Sequence, residues 1–203
     1  MNITQSFEVM DFFGASDVDG FQEILPKSKK FDEWDIDSLV HLLSQAHLDT
    51  RDNVIRIYDL AQAVCVKHSG EHSELSALAA ALFLFFHDLL VHLRKEEQTL
   101  FPNIVRLTKG TLSPGSAIYT TFGLVKESVI AMRKEHEGAV DELKFFRQLT
   151  NDYLIPGDAC TSYKHLFEKM KAFEKDLMFQ IELENGILFP KAIQVAEKSI
   201  ETK

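Results

Sequence analysis

The chain has 203 residues, of which 45% are hydrophobic and 26% charged, and a formal net charge of −9, a globular balance with length enough for one substantial core. So negative a chain repels nucleic acid and anionic lipid surfaces, and neither is an expected partner. The longest apolar run, Leu75 to Phe86, is interrupted by Ser76 and is about half of what a membrane helix needs, so it reads as a core helix.

The N-terminus shows no basic region followed by an apolar stretch, and Cys65 and Cys160 lack CxxC spacing. A reducing, cytoplasmic location is therefore expected.

Residues 1–35 mix Gly14, Gly20, Pro26 and the lysines around Lys30 with scattered aromatics and no sustained period, so they are expected to form a short N-terminal extension. From Asp35 onward the period is helical. Breakers at Ser69-Gly70, Gly110 to Gly115 and Asp152 to Asp158 divide it into helices at about 36–67, 72–108, 116–150 and 158–198. Four long helices with short connections predict an all-α, antiparallel up-down four-helix bundle over residues 36–203.

The second half of this bundle repeats the first. Helix two ends in His92-Leu-Arg-Lys-Glu96-Glu-Gln-Thr-Leu-Phe-Pro102 and helix four in Gln180-Ile-Glu-Leu-Glu184-Asn-Gly-Ile-Leu-Phe-Pro190. Each places Glu four residues after an imidazole or amide, on the same helix face. The partner helices contribute His47 and His136, one each. The stripes through these positions are apolar: Phe85, Leu89 and Leu100 on helix two, Phe173, Leu177 and Leu188 on helix four, with Leu43 and Val54 near His47 and Met132 and Leu143 near His136. All six polar residues therefore point inward, and counted from one end of the bundle at about 1.5 Å per residue they fall near one level.

Burying two carboxylates and three histidines without partners costs several kcal/mol per charge, whereas a metal cation satisfies them together. Imidazole and carboxylate without thiolate suit iron or manganese, and carboxylates from two helices can bridge two ions in a bundle core. The Glu-x-x-His spacing of a ferritin-type site is absent from the repeat.

At this point the chain resembles the repair-of-iron-centres proteins, which are hemerythrin-like bundles. The resemblance runs over about residues 35–195 and is carried by His92-x-x-x-Glu96-Glu-Gln-x-Leu-Phe-Pro, Glu135-His136-Glu137, Ala159-Cys160-Thr161, and Asp176-Leu177-Met178 leading to Leu183-Glu184-Asn185-x-x-Leu-Phe-Pro. It implies two non-haem irons with oxo and carboxylate bridges, held by His47, His92, His136 and position 180 as terminal ligands, with Glu96 and Glu184 bridging. It also implies a role in restoring iron-sulfur clusters damaged by nitric oxide or peroxide, with damaged or apo iron-sulfur proteins as partners of a monomer or homodimer.

The family pattern has His where this chain has Gln180, and longer members carry a cysteine-bearing N-terminal module that residues 1–35 lack. An amide is a weaker ligand than imidazole, so the expected site is asymmetric in affinity.

Two other functions fit the residues: reversible binding or reduction of dioxygen or nitric oxide in the hemerythrin manner, and a metal-free helical interaction bundle. Outside the six, His41, His68, His72 and His165 are expected to be solvated, and His87, five residues before His92, to lie on a different face, with a spare or supporting ligand as its lesser reading. Cys65 reads as a small buried hydrophobe and Cys160 as a structural residue starting helix four. Glu97, Glu135, Glu137 and Glu182 are expected at solvated positions or bonded to the imidazoles, with Glu135 or Glu182 as a replacement for a missing ligand. No nucleophilic triad, phosphate-cradling glycine loop or dinucleotide fingerprint occurs.

Overall fold

A computed structural model describes residues 31–109 and 116–201. Most of the expected N-terminal extension and the Gly110–Gly115 connection lie outside the described residues. The elements are α1 (Ile36–His68), α2 (Glu74–Lys95), α3 (Phe101–Thr108), α4 (Ser116–Leu149), α5 (Thr161–Leu183) and α6 (Phe189–Glu201). A five-residue π-helical turn joins α2 to α3 at Glu96–Leu100, and another joins α5 to α6 at Glu184–Leu188. The result is four columns, α1, α2–α3, α4 and α5–α6, in the all-α bundle that the periodicity predicts, and no strand occurs among the described residues.

α1 starts where the sequence signals it. The Asp35 carboxylate accepts from the Ser38 backbone N–H at 2.7 Å, satisfying one of the free donors of the first turn, a contact typically worth about 1 kcal/mol. At the other junction Asn151, Asp152 and Tyr153 all have positive φ (49°, 59° and 57°), a costly run for residues other than glycine. Side chains hold it: Thr150 Oγ1 accepts the Tyr153 N–H at 3.0 Å, Arg147 bonds Asp152, and the Tyr153 hydroxyl donates to Glu174 at 2.7 Å.

The helical period runs through both π turns without a break, and proline explains why the backbone widens there. Pro102 and Pro190 have no N–H, so the ordinary helical bond to the residue four before them is lost. The ladder widens just ahead of each: Phe101 N–H reaches Glu96 O, and Phe189 N–H reaches Glu184 O, five residues back. The i to i+5 bond brings Phe101 close to the side of Glu96 and Phe189 close to that of Glu184, and all four side chains are buried.

The core has two apolar clusters. One surrounds Leu78, Leu82, Phe146 and Tyr163 toward the α1–α2 and α4–α5 junctions, and the other surrounds Leu39, Leu43, Phe101, Ile104 and Phe189 at the opposite end. Between them lies a buried polar layer of His47, Thr50, His92, Glu96, His136, Gln180 and Glu184. Phe31 and Trp34, at the end of the extension, pack on the second cluster, with Phe31 against Phe179 at 5.8 Å between ring centroids.

By length and composition Glu74–Thr108 could cross a membrane, with a mean hydropathy of 1.8 over its most apolar window. In the fold this helix packs against α1 and α4 and turns His92 and Glu96 into the polar layer, so its apolar side is the core side expected from the sequence.

Candidate metal centre

His92, Glu96, His136 and Glu184, all buried, bring one donor atom each to within 4.8 Å of one another. His47 joins from α1: its Nε2 lies 3.5 Å from Glu96 Oε2 and 3.4 Å from Glu184 Oε1. Five of the six residues singled out by the repeat therefore converge. The sixth, Gln180, is buried beside them and lines the same cavity of about 410 Å³, but its amide bonds Thr50.

Each imidazole is aimed by a partner on its outer nitrogen. His47 Nδ1 donates to Glu97 at 3.0 Å, and Glu97 is itself clasped by Arg51 through two bonds of 2.9 and 2.8 Å. His92 Nδ1 donates to Glu135 at 2.9 Å, which Lys95 holds at 2.6 Å. His136 Nδ1 donates to the Asn185 side-chain oxygen at 3.0 Å, and Arg133 donates to the Asn185 backbone carbonyl. With hydrogen committed outward on Nδ1, the neutral ring presents a bare Nε2 to the centre, the arrangement typical of metal-ligating histidine.

Aromatic faces back two of the three. Phe101 stacks on His47 with centroids 5.6 Å apart and Phe189 on His136 at 6.1 Å, so the phenylalanine of each Leu-Phe-Pro packs on the lone histidine of its own half.

The donors fit a cation. His92 Nε2 and His136 Nε2 are 3.0 Å apart, so two lone pairs confront each other when both rings are neutral. Glu96 is fully buried and neither of its oxygens has a hydrogen-bond partner among the described residues, although imidazole nitrogens stand 3.4 to 3.9 Å away. Such a carboxylate costs several kcal/mol unless charge of the opposite sign arrives.

Burial, and then the charge of Glu184, push the Glu96 carboxyl well above its usual range. Burial would do the same to Glu184, but bonds from His136 and His47, made when those rings carry a proton on Nε2 as well as Nδ1, outweigh it and hold that carboxyl low. Burial and the neighbouring His136 push His92 down, toward the neutral form a ligand needs. A cation between them answers the lone pairs and the orphaned carboxylate at once.

A family description, the hemerythrin HHE cation binding domain, matches residues 38–192. The chain belongs to the hemerythrin HHE family. Among curated relatives, it is 31% identical over 156 residues to the iron-sulfur cluster repair protein YtfE of Dickeya chrysanthemi, covering 77% of this chain and 65% of that protein. It is 30% identical over 153 residues to a probable iron-sulfur cluster repair protein of Haemophilus influenzae, covering 75% and 63%. It is 29% identical over 167 residues to a YtfE protein of Yersinia pseudotuberculosis, covering 80% and 70%. The chain thus spans a little under two thirds of the first of these relatives. As a member of this family, with a buried His/Glu donor set, it is a metal-binding protein.

The supporting residues divide between those the sequence reading found and those it missed. Glu97 and Glu135 bond imidazoles, as expected of ligand neighbours, and Glu137 and Glu182 are exposed. Thr50, Arg51, Lys95 and Asn185 were missed. His87 is exposed, not a spare ligand, while His41 and His165 are exposed as expected.

His68 and His72 correct the expectation of solvated side chains. His68 is buried with its Nε2 3.1 Å from Cys160 Sγ, and His72 bridges Glu74 and Asp158 at 3.1 and 3.0 Å. Both lie at the helix-junction end, near neither the cavity nor the donors. Backbone N–H groups at the start of α5, Tyr163 foremost, and then His68 favour the Cys160 thiolate and bring this thiol down to about 7. Cys65 is half-buried against the core, its Sγ 3.6 Å from the Ser76 hydroxyl.

Proposed function

We propose that this chain is a cytoplasmic, iron-handling protein that helps restore damaged iron-sulfur clusters, with residues 36–203 forming the iron-holding bundle and residues 1–35 an N-terminal extension. The observation that carries the reading is the orphaned Glu96 carboxylate facing the His92–His136 pair, buried groups that a cation would satisfy together. Relatives named for iron-sulfur cluster repair supply the process, and damaged or apo iron-sulfur proteins are the corresponding partners.

Under this reading His47, His92 and His136 would hold a two-iron centre by their imidazoles, and Glu96 and Glu184 by their carboxylates. Bound iron would supply a redox-active Lewis acid and, when given up, a metal for cluster assembly. The chain's own residues do the rest. Glu97, Glu135 and Asn185 fix the direction of the three imidazoles. Phe101 and Phe189 close the layer on the side of the second apolar cluster and exclude water there. Lys95 and Glu135, ion-paired at 2.6 Å, line the same cavity as His92 and His136.

The test is transfer. Protein loaded anaerobically with ferrous iron, mixed with an apo iron-sulfur acceptor and sulfide, is expected to lose iron and to generate the acceptor's cluster absorbance faster than an equal amount of free ferrous iron does. Retention of all iron, with a reversible spectral change on adding nitric oxide or dioxygen, would replace this reading with gas binding.

A further inference from the structure

The four helices do not equip the two sides of the polar layer alike. On one side His92 and His136 face each other at 3.0 Å and, with an oxygen each from Glu96 and Glu184, complete four donors within 4.8 Å. On the other side His47 approaches the same two carboxylates, and the repeat puts Gln180 where a second nitrogen ligand would stand.

That amide is engaged elsewhere. Its Nε2 donates to Thr50 Oγ1 at 3.0 Å and to the Asp176 carbonyl at 3.3 Å, and its Oε1 accepts from the Thr50 hydroxyl at 3.2 Å. Gln180 and Thr50 are each 4% exposed, so water hardly competes. Turning the amide toward a metal would strand the Thr50 hydroxyl, at a cost typical of a broken buried hydrogen bond, in exchange for a neutral and weak donor. Thr50 sits one turn beyond His47 on α1, so the helix that supplies the imidazole also supplies the group that holds the amide.

We propose that Thr50 is a latch that keeps Gln180 off the metal, so that the centre holds one divalent transition-metal ion firmly at His92, His136, Glu96 and Glu184 and a second only loosely beside His47. The inference rests on the metal-centre reading above and adds which side gives up its ion. The His47 side has one imidazole and two shared carboxylates, leaving the remaining positions to solvent. Arg51 and Glu97 still aim that imidazole, so the loose side is preformed and can refill without rearranging the bundle.

The experiment uses the full chain with ferrous iron as the probe under anaerobic conditions. After loading with excess iron and desalting against a mild chelator, about one iron per chain is expected to remain, and a calorimetric titration is expected to show a second site weaker by at least roughly tenfold, as for loss of a ligand-supporting contact. Gln180→His is expected to raise the retained count toward two. Because a new imidazole must fit a packed layer, Thr50→Val, which keeps the shape and removes the hydroxyl, serves as the independent variant; it is expected to tighten the second site severalfold and leave the first unchanged.

Two firmly retained irons in the unaltered chain, or a second affinity that Thr50→Val leaves unmoved, overturns the latch. A folded chain that binds no iron at either site overturns the metal-centre reading itself.

Discussion

The segments His92 to Pro102 and Gln180 to Pro190 are the same device built twice, and they end in opposite chemical states. Both run an inward-facing side chain, a Glu one turn later, a π turn and a Leu-Phe-Pro, and both backbones do the same thing for the same reason, the missing proline N–H. Yet His92 is drawn to the centre by Glu135 while Gln180 is drawn away by Thr50. Among the described residues Glu96 accepts no hydrogen bond, and it is pushed toward its neutral form, while Glu184 sits among imidazoles and stays ionised. The backbone device depends on local sequence and repeats faithfully; the charge of each carboxylate depends on what the other helices bring, and does not.

The largest expected effect tests the part that should be equal. Phe101→Ala and Phe189→Ala each remove a fully buried ring stacked on a histidine and are expected to cost about 3–5 kcal/mol in urea unfolding. Clearly unequal losses would break the claim that the two halves share one construction.

Next comes metal itself. Ferrous iron at about a thousandfold over its Kd is expected to add about 4 kcal/mol, which for a chain of this size is a rise in Tm of about 10 °C. Chelator should reverse it.

The carboxylates should then part company. In the metal-free protein Glu184→Gln is expected to destabilise by about 1–3 kcal/mol, because it weakens the partner of His136 and His47. Glu96→Gln is expected to leave metal-free stability unchanged or improved, since it removes an unbonded acid beside a like charge. Both variants should lose the iron-induced rise in Tm. Equal destabilisation by the two would erase the asymmetry.

Smaller again is the effect of the supporting acids. Glu135→Gln is expected to weaken the firmly held iron by about 10–100-fold and Glu97→Gln to act on the loosely held one, read from the two phases of a calorimetric titration.

The smallest effect lies away from the polar layer. Alkylation of Cys160 should rise with pH through a midpoint of about 7, because the thiolate is the reactive form and a lowered thiol is ionised above that value. His68→Ala is expected to move the midpoint toward the ordinary thiol range without changing iron content.

Much of this centre was legible before any coordinates. The spacing of His92 and Glu96, echoed by Gln180 and Glu184 within apolar stripes, pointed to one buried layer, and five of those six residues meet there. His68 misled because proximity to a helix end says nothing of what packs over that end; Cys160, 92 positions later, covers it. Asn185 stood in the motif beside Glu184 without betraying that its side chain would reach His136.

The amino-acid sequence by itself determined the four helices, their inward faces, the two proline-widened turns and the identity of the donors, because periodicity, capping and the lack of a proline N–H act within a few residues along one helix. Only the tertiary structure decided which donors meet a cation. Thr50 holding Gln180, Arg51 steadying Glu97 and Lys95 steadying Glu135 are contacts between helices 40 or more residues apart in sequence, and hydrogen bonds across such gaps depend on how the columns pack, which no local pattern encodes.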